Sequence, residues 1–478
     1  MTELDQQADA TQAKSPETFR DRVANIDKTG HRIWIYPKKP KGAFHRARGF
    51  VAVLLIAIMI GVPFIRFNGQ PFVLLNVVER KFILFGLAFW PQDFHIFALA
   101  FLSLIIFIVL FTAVFGRVWC GWACPQTVFM EMVFRKIEYL IEGDAGQQRT
   151  LDAAPNSPEK ALKKTAKHII FFALSFVVGN ILLAYIIGVE ALEKIITDPP
   201  QEHWVGLFFM IAFSLIFYGI FARFREQACI YVCPYGRLQS VLLDKNSIVV
   251  AYDFIRGEPR GALTKNNSQP LGDCIDCKLC VQVCPTGIDI RNGTQLECVN
   301  CTACIDACDG VMEKIKRPKK LIRYASVNLI AQGKKFGITP RIILYSTVLI
   351  VLLSAVTALL LTRNDIEATV LRAKGAMYQV AEDGDISNLY TANIVNKTFD
   401  RLPITIKIEN AEGVVKLIGH DNLILSPDAL IEVTFIVELK ASSVTKPNTS
   451  IKLGLYNGDK KLEEIQTAFI GPMPGMKK

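Results

Sequence analysis

Cysteine is the residue type in this chain best suited to metal or redox chemistry, and all twelve cysteines lie between Cys120 and Cys308. Eight of them form one array: Cys274, Cys277, Cys280 and Cys284, with Pro285 next, then Cys298, Cys301, Cys304 and Cys308. The spacing Cys-x-x-Cys-x-x-Cys-x-x-x-Cys-Pro is the bacterial ferredoxin run, in which three close thiolates wrap one cubane and the fourth crosses to ligate the other. It predicts one 4Fe-4S cluster on Cys274, Cys277, Cys280 and Cys308, and a second on Cys298, Cys301, Cys304 and Cys284. Zinc is the competing reading, because paired Cys-x-x-Cys also binds tetrahedral zinc. Eight cysteines in two three-plus-one sets exceed what zinc needs. The second run ends on Asp309 where the ferredoxin pattern has proline. Iron-sulfur cores change oxidation state with little rearrangement, so such a module carries electrons.

The other four cysteines repeat one pattern, Cys120-Gly121-Trp122-Ala123-Cys124-Pro125 and Cys229-Ile230-Tyr231-Val232-Cys233-Pro234. On a continuous helix, thiols four residues apart share one face. Proline removes an amide donor and turns the preceding residue away from helical angles. The expected geometry is therefore a break, with Pro125 and Pro234 opening new helices. Cys124 and Cys233 would then stand at positive helix ends, where a thiol pKa is lowered. Four such thiolates meeting at one site beside the ferredoxin module would select Cu(I), zinc or an iron-sulfur species. The bland alternative is inert cysteine buried at helix ends; two pairs with the same spacing, proline and place argue against it.

These motifs need apolar elements to hold them. Half the residues are hydrophobic (51%), with 31 Phe and a mean hydropathy of +0.31, which excludes a disordered or collagen-like chain. Cysteines confined to one stretch exclude a secreted disulfide scaffold. A hydrocarbon core about 30 Å thick takes about 20 apolar residues to cross, and five stretches are candidates: Phe50 to Ile65 (extendable through Ala47 and Gly49), His95 to Phe115, His168 to Ile187, Trp204 to Ala222 and Ile342 to Leu361. Each cysteine pair follows a span, the second and the fourth.

Basic residues cluster on alternate loops. Lys38, Lys39, Lys41, Arg46 and Arg48 precede the first span, Arg117, Arg135, Lys136, Lys163, Lys164 and Lys167 follow the second, and Arg223, Arg225, Lys319, Lys320, Arg323 and Arg341 follow the fourth. The other loops hold only Arg66, Arg80, Lys81 and Lys194. The positive-inside rule then puts the N-terminus and every cysteine in the cytoplasm and the C-terminus outside. Pro71 to Phe89, cut by Glu79, Arg80 and Lys81, is expected to be partly inserted or interfacial.

The expected organisation is a multi-domain membrane protein. Residues 1–45 are a disordered basic cytoplasmic leader, and 46–245 a four-helix membrane domain with the two Cys-x-x-x-Cys-Pro motifs. Residues 246–340 are a cytoplasmic ferredoxin-like α+β module with a basic linker, 341–362 the fifth transmembrane helix, and 363–478 a periplasmic immunoglobulin-like β-sandwich. Leu402 to Ile408, Ile431 to Leu439 and Ser450 to Tyr456 alternate as strands do, and Asn457-Gly458 is a hairpin signal. Several features read as structure rather than chemistry. His95, His168 and His203 are interfacial anchors, although His95 and His203 at one depth would suit haem. Met473 to Met476 is a frayed tail rather than a copper motif. The basic run from Lys314 to Arg323 meets anionic lipid, not nucleic acid. No strand precedes a Gly-rich nucleotide loop, so bound NAD or flavin is unsupported.

Taken together, the paired Cys-x-x-x-Cys-Pro motifs, the run CIDCKLCVQVCPTGIDIRNGTQLECVNCTACIDACDGVM and the β-rich tail resemble the FixG/CcoG/Rdx family, bacterial cytochrome c oxidase accessory proteins, from about Tyr36 onward. Asp309 after the last cysteine looks normal for that family. The resemblance implies the bacterial inner membrane and a role in maturing a cbb3-type oxidase by reducing Cu(II) to Cu(I). Copper-delivery and oxidase-assembly factors would be its partners, and its electron donor is open. Cys120, Cys124, Cys229 and Cys233 are then expected to contact the copper. Related membrane ferredoxins of nitrate and nitrous-oxide respiration share both motif types and are thought to pass quinol electrons outward, which is the second reading. A non-enzymatic assembly scaffold with structural clusters is the third.

Overall fold

The structure is a computed structural model that describes residues 25–472 except 27–28, 30, 68, 78–80, 263–270, 335–336, 374–377, 381–383, 420–422 and 445. Met473 to Met476 and most of the leader lie outside the described residues. Five helices are long and apolar enough to cross a membrane: Ala43–Phe64, Pro91–Phe115, Pro158–Ile187, Trp204–Phe224 and Pro340–Leu361. Several run beyond the apolar stretch that announces them. Pro158–Ile187 has 30 residues, a length of about 45 Å at 1.5 Å per residue, because Lys160 to Lys167 continue the helix in polar surroundings. Pro63 sits in the closing turn Val62–Phe64 and ends the first helix rather than kinking it. Pro340–Leu361 has no buried residue, and a helix apolar all round without protein cover needs lipid.

The described residues fall into two compact units, 1–62 with 100–184 and 189–353, and 63–99 with 185–188 and 354–478. In the first unit, the strand Val249–Tyr252 pairs antiparallel with Ile322–Ala325. Between them in the chain lie the short helices Leu279–Gln282 and Ala303–Lys314, each carrying cysteines of the eight-residue array. Val250, Tyr252, Ile288, Ile290, Ile305, Met312, Leu321 and Ile322 form the core of this α+β module. It is fastened to the first membrane helix by Asp306, whose carboxylate accepts from the backbone N–H groups of Phe44 and His45 at 3.1 and 2.7 Å. A side chain from elsewhere in the chain thus caps a helix whose own N-cap, Gly42, has none to offer. Gly42 is required there, since a Cβ would fall 2.1 Å from Asp306 Cγ.

The leader is partly ordered, contrary to its polar composition. The Lys38 N–H donates to Gln282 O at 2.8 Å, the Tyr139 hydroxyl donates to Pro37 O at 3.0 Å, and Arg32 pairs with Glu226 at 2.8 Å while stacking on Trp34. Composition reports only that residues 31–42 cannot form a core of their own; surfaces supplied by distant segments order them.

In the second unit, 63–99 folds as strands. Val73–Asn76, Lys81–Leu84 and Leu87–Phe89 form a three-stranded antiparallel sheet. Phe85 and Gly86 both take positive φ, 54° and 78°, the two-residue turn that matches strand twist. Leu74, Ile83 and Ala88 share the buried face and pack on Phe399, while Leu75, Phe85 and Leu87 stay exposed. The C-terminal sandwich has one sheet ordered 413–417, 429–439, 386–396, 366–372 and another ordered 423–425, 402–408, 448–457, 460–470, all antiparallel. Tyr390 stacks on Phe435 at the centre and donates its hydroxyl to Ala468 O at 2.8 Å. Gly458, φ 61°, lies in the hairpin between the last two strands.

One buried carboxylate holds this unit together. Asp93, 3% exposed, accepts from Lys397 Nζ and from Arg363 Nη2, each at 2.7 Å, while Trp90 Nε1 donates to Asp428 at 3.0 Å. Removing one partner of a buried ion pair strands the other charge. We expect Asp93→Asn to cost about 3 kcal/mol of sandwich stability, read by denaturant unfolding of the purified full chain; a loss under about 0.5 kcal/mol, the range of inert surface changes, would show the network to be idle.

Candidate iron-sulfur and thiolate sites

The two cysteine runs fold alike. Asp276 and Asn300, the second spacer in each leading Cys-x-x-Cys, have φ of 51° and 53°, and Lys278 and Thr302, after the second cysteine, have 56° and 64°. Left-handed residues alternating with ordinary ones turn successive N–H groups to one side, the concavity that holds anions and iron-sulfur cores. N–H groups of Thr286, Gly287 and Ile288 reach the Cys284 sulfur, those of Asn300 and Ala303 reach Cys298 and Cys301.

The structure brings Cys274, Cys277, Cys280 and Cys308 around one small cavity, and Cys284, Cys298, Cys301 and Cys304 around another, with Cys280 on the rim of both. The three-plus-one grouping is thus spatial as well as sequential. Burial pushes the Cys301 thiol up to about 11 and those of Cys280, Cys298 and Cys308 to about 12. Closely spaced thiols add to the rise. An array that is costly to ionise unaided fits a positively charged metal core, which supplies the missing counter-charge. The eight cysteines therefore suit 4Fe-4S clusters, which when bound take up and release single electrons.

The four remaining cysteines also converge. Cys124 and Cys233 have extended backbone, ψ 124° and 111°, and open the helices Pro125–Val128 and Pro234–Leu242, so both proline breaks form. The residues four before each pair's first cysteine, Gly116 and Arg225, take φ of 57° and 55°. Each leaves its membrane helix at a residue of positive φ, with ψ −123° at Arg225. Positive φ is ordinary for glycine, but this backbone is strained for arginine. Arg225 is held there by a buried ion pair with Glu138 and by the Trp34 ring 4.8 Å from its guanidinium carbon.

Cys229 is pushed up to about 12 by burial and then by Cys124, Cys120 and Cys233, and Cys120 to about 11 by burial and then by Cys124. The lowered Cys124 pKa expected from its helix-end position is not found. N–H groups of Gln126 and Thr127 do favour its thiolate, but burial outweighs them and the thiol is raised. Among the described residues, the only metal-sized group of three ligand atoms within 4.8 Å is Asp198, Glu202 and His203. The four thiols therefore approach one another while standing wider than a single ion would draw them, as do the eight of the array.

Other side chains here escaped sequence reasoning. Gln239, fully buried, accepts from the Cys120 thiol at 3.3 Å. Arg117, Arg135, Lys167 and Arg225, counted above as topology-setting charges, are buried. The last three surround Glu138, which burial would raise but which Arg225, Arg135 and Lys167 hold below the usual carboxylate range. Their signal was the recurrence of Glu131, Glu138 and Glu142 beside basic residues on one stretch. The histidines have local partners: Gln92 O for His95, Tyr218 for His168 and Asp198 for His203.

Comparison with known proteins converges with this geometry. A family model described as a 4Fe-4S dicluster domain matches residues 224–327, one described as a 4Fe-4S binding domain matches 97–142, and one described as the IG-like fold at the C-terminus of FixG matches 356–472. The chain is 34% identical over 417 residues to nitrogen fixation protein FixG of Rhizobium meliloti, covering 78% of this chain and 79% of that one. It is 34% identical over 398 residues to protein RdxA of Cereibacter sphaeroides, covering 80% and 83%, and 32% identical over 414 residues to RdxB of the same organism, covering 83% and 86%. The chain belongs to the FixG/Rdx family. Like the family models it matches, it combines iron-sulfur domains with an Ig-like C-terminal domain, and its five apolar helices make it a membrane iron-sulfur electron-transfer protein.

The cavities make a specific demand on the crossed cysteines. We expect Cys284→Ser to damage the cluster of Cys298, Cys301 and Cys304 and to spare the other, seen by EPR of the reduced protein. Loss confined to the cluster of Cys274, Cys277 and Cys280 would mean that the fourth ligands do not cross.

Proposed function

We propose that this protein reduces Cu(II) to Cu(I) for assembly of a cbb3-type cytochrome c oxidase. Two 4Fe-4S clusters carry the electrons, one on Cys274, Cys277, Cys280 and Cys308 and the other on Cys298, Cys301, Cys304 and Cys284. Cys120, Cys124, Cys229 and Cys233 contact the copper. The observation that carries this reading is the mutual approach of the four thiols, close enough for each to bear on the ionisation of the others, beside the ferredoxin module. Thiolate is a soft ligand and favours the Cu(I) product. Copper(II) takes one electron, and each cluster gives one. Copper-delivery and oxidase-assembly factors are the partners on this reading, with the bacterial inner membrane as its place.

The basic loops support an N-terminus and ferredoxin module in the cytoplasm and a β-sandwich in the periplasm. Reduced thiols belong on the cytoplasmic side.

A second reading, oxidation of membrane quinol, is favoured by one observation. A cavity of about 230 Å³ is bordered by Met132, Tyr139, Leu140, Val283 and Cys301, and the Nδ1 of His45 on its wall is buried without a hydrogen-bond partner. A cavity beside a cluster cysteine with a mostly apolar wall, on which Lys39, Arg48, Glu131 and Lys136 also sit, suits a hydroquinone with its polar ring oxygens.

Two experiments test these readings. Replacing Cys120, Cys124, Cys229 and Cys233 together by Ser is expected to leave both ferredoxin clusters intact and to abolish Cu(II) reduction and copper binding; wild-type reduction by that variant would return the four thiols to inert helix-end residues. Protease added from the periplasmic face of oriented membranes is expected to trim the sandwich alone, and cleavage between Lys314 and Arg323 would reverse the orientation.

A further inference from the structure

The two thiol systems are not merely neighbours in the fold; one loop joins them. Gly121, inside the first membrane motif, lies so close to the Cys298–Cys301 loop that a Cβ would stand 2.5 Å from Val299 O and 2.7 Å from Asn300 O. Trp122 Nε1 donates to the Tyr324 hydroxyl at 3.0 Å, which donates to Asn300 O at 3.2 Å. Arg48, 5% exposed, donates from Nε to Gly121 O at 2.9 Å.

Arg117 ties three segments together. Its guanidinium, 5% exposed, donates to Leu296 O, two residues before Cys298, and to Gly236 O, three residues after Cys233. Cys120 and Cys298 are the two groups whose charge bears on it most. The other cradle differs in kind: none of these contacts involves it, and its Cys277 is the one exposed cysteine of the twelve.

We propose that electrons pass in a fixed order, entering at the Cys277 side, moving to the centre held by Cys284, Cys298, Cys301 and Cys304, and leaving across the Gly121 contact to the four-thiol site, with Arg117 as the positioning residue of that last transfer. The order deepens the copper reading and rests on it for the identity of the final acceptor. The donor at the Cys277 side is a low-potential one-electron carrier. In the last step one electron leaves the Cys298 centre and one enters Cu(II), giving Cu(I), with no bond made and no proton moved. Gly121, without a Cβ, lets the backbone of the membrane motif lie against the backbone of the cluster loop. Arg117 places one positive charge between donor and acceptor thiolates, favouring the reduced form of the nearer centre and fixing both loops by its two carbonyl bonds.

The test uses the full-length holoprotein. Arg117→Gln is expected to lower the midpoint potential of the cluster that Cys284→Ser damages, to leave the other cluster's potential in place, and to slow reoxidation of the dithionite-reduced protein by Cu(II) about tenfold or more, the scale expected when reacting groups are displaced. Arg117→Lys is expected to restore most of the potential, because it keeps the charge, but less of the rate. Gly121→Ala is expected to slow the same reoxidation with both potentials unchanged. Should Arg117→Gln shift the other cluster or neither, the order is overturned. The potential measurements need no copper, so a wild-type protein that fails to reduce Cu(II) would sink the copper reading and leave the order to be judged on them.

Discussion

The close approach of Gly121 to the backbone of Val299 and Asn300 is the constraint on which the rest of the electron-carrying half depends. It demands that the first membrane motif end its helix early, that the ferredoxin module lie directly on that helix end, and that the cluster loop present carbonyls rather than side chains. Each demand is met by a separate device. The left-handed turn at Gly116 releases the chain from the second membrane helix. Asp306 caps the first membrane helix and so fixes the module's own helix against it. Asn300 accepts from Val250 N–H through its side chain, at 3.2 Å, which pins the loop to the module's sheet.

Holding two thiol systems together in a low-dielectric interior carries an electrostatic penalty, and the surrounding charges are arranged to meet it. Buried thiols resist ionisation when alone, and each ionised neighbour makes the next harder to ionise. Arg117 and Arg48 offset this from within the contact, while N–H groups from short turns reach Cys284, Cys298, Cys301 and Cys124. The Glu138 cluster does different work nearby. By pairing with Arg225 it holds an arginine at positive φ, at the position where the first motif uses glycine. The two motifs therefore leave their helices at corresponding positive-φ residues, by backbone freedom in one and a tertiary ion pair in the other.

The division of charges between topology and structure explains where loop counting misleads. Arg135, Lys167 and Arg225 increase the basic total of their loops, yet they are packed against carboxylates and meet no lipid headgroup. Exposed basic residues such as Lys319 and Lys320 remain available for that role. The sheet at 73–89 adds a case from the apolar side: in a stretch too short and too interrupted to span a membrane, Leu74, Ile83 and Ala88 find cover in Phe399.

Local chemistry was legible in the sequence alone. Cysteine spacing announced the two cradles and their crossed grouping, proline placement announced both helix breaks, and runs of about 20 apolar residues announced the five helices, because each signal is written within one or two turns or one continuous stretch. Alternation announced strands at 402–408, 431–439 and 450–456 for the same reason, each within an observed strand. Tertiary structure alone decided what distant segments do to one another. Whether a helix-end thiol is lowered or raised depends on how deeply other segments bury it, and burial won at Cys124. Whether Arg117 is a surface charge or the link between Cys120 and Cys298, and which of two similar clusters meets the membrane motif, depends on contacts between residues more than a hundred positions apart, and no local pattern encodes those.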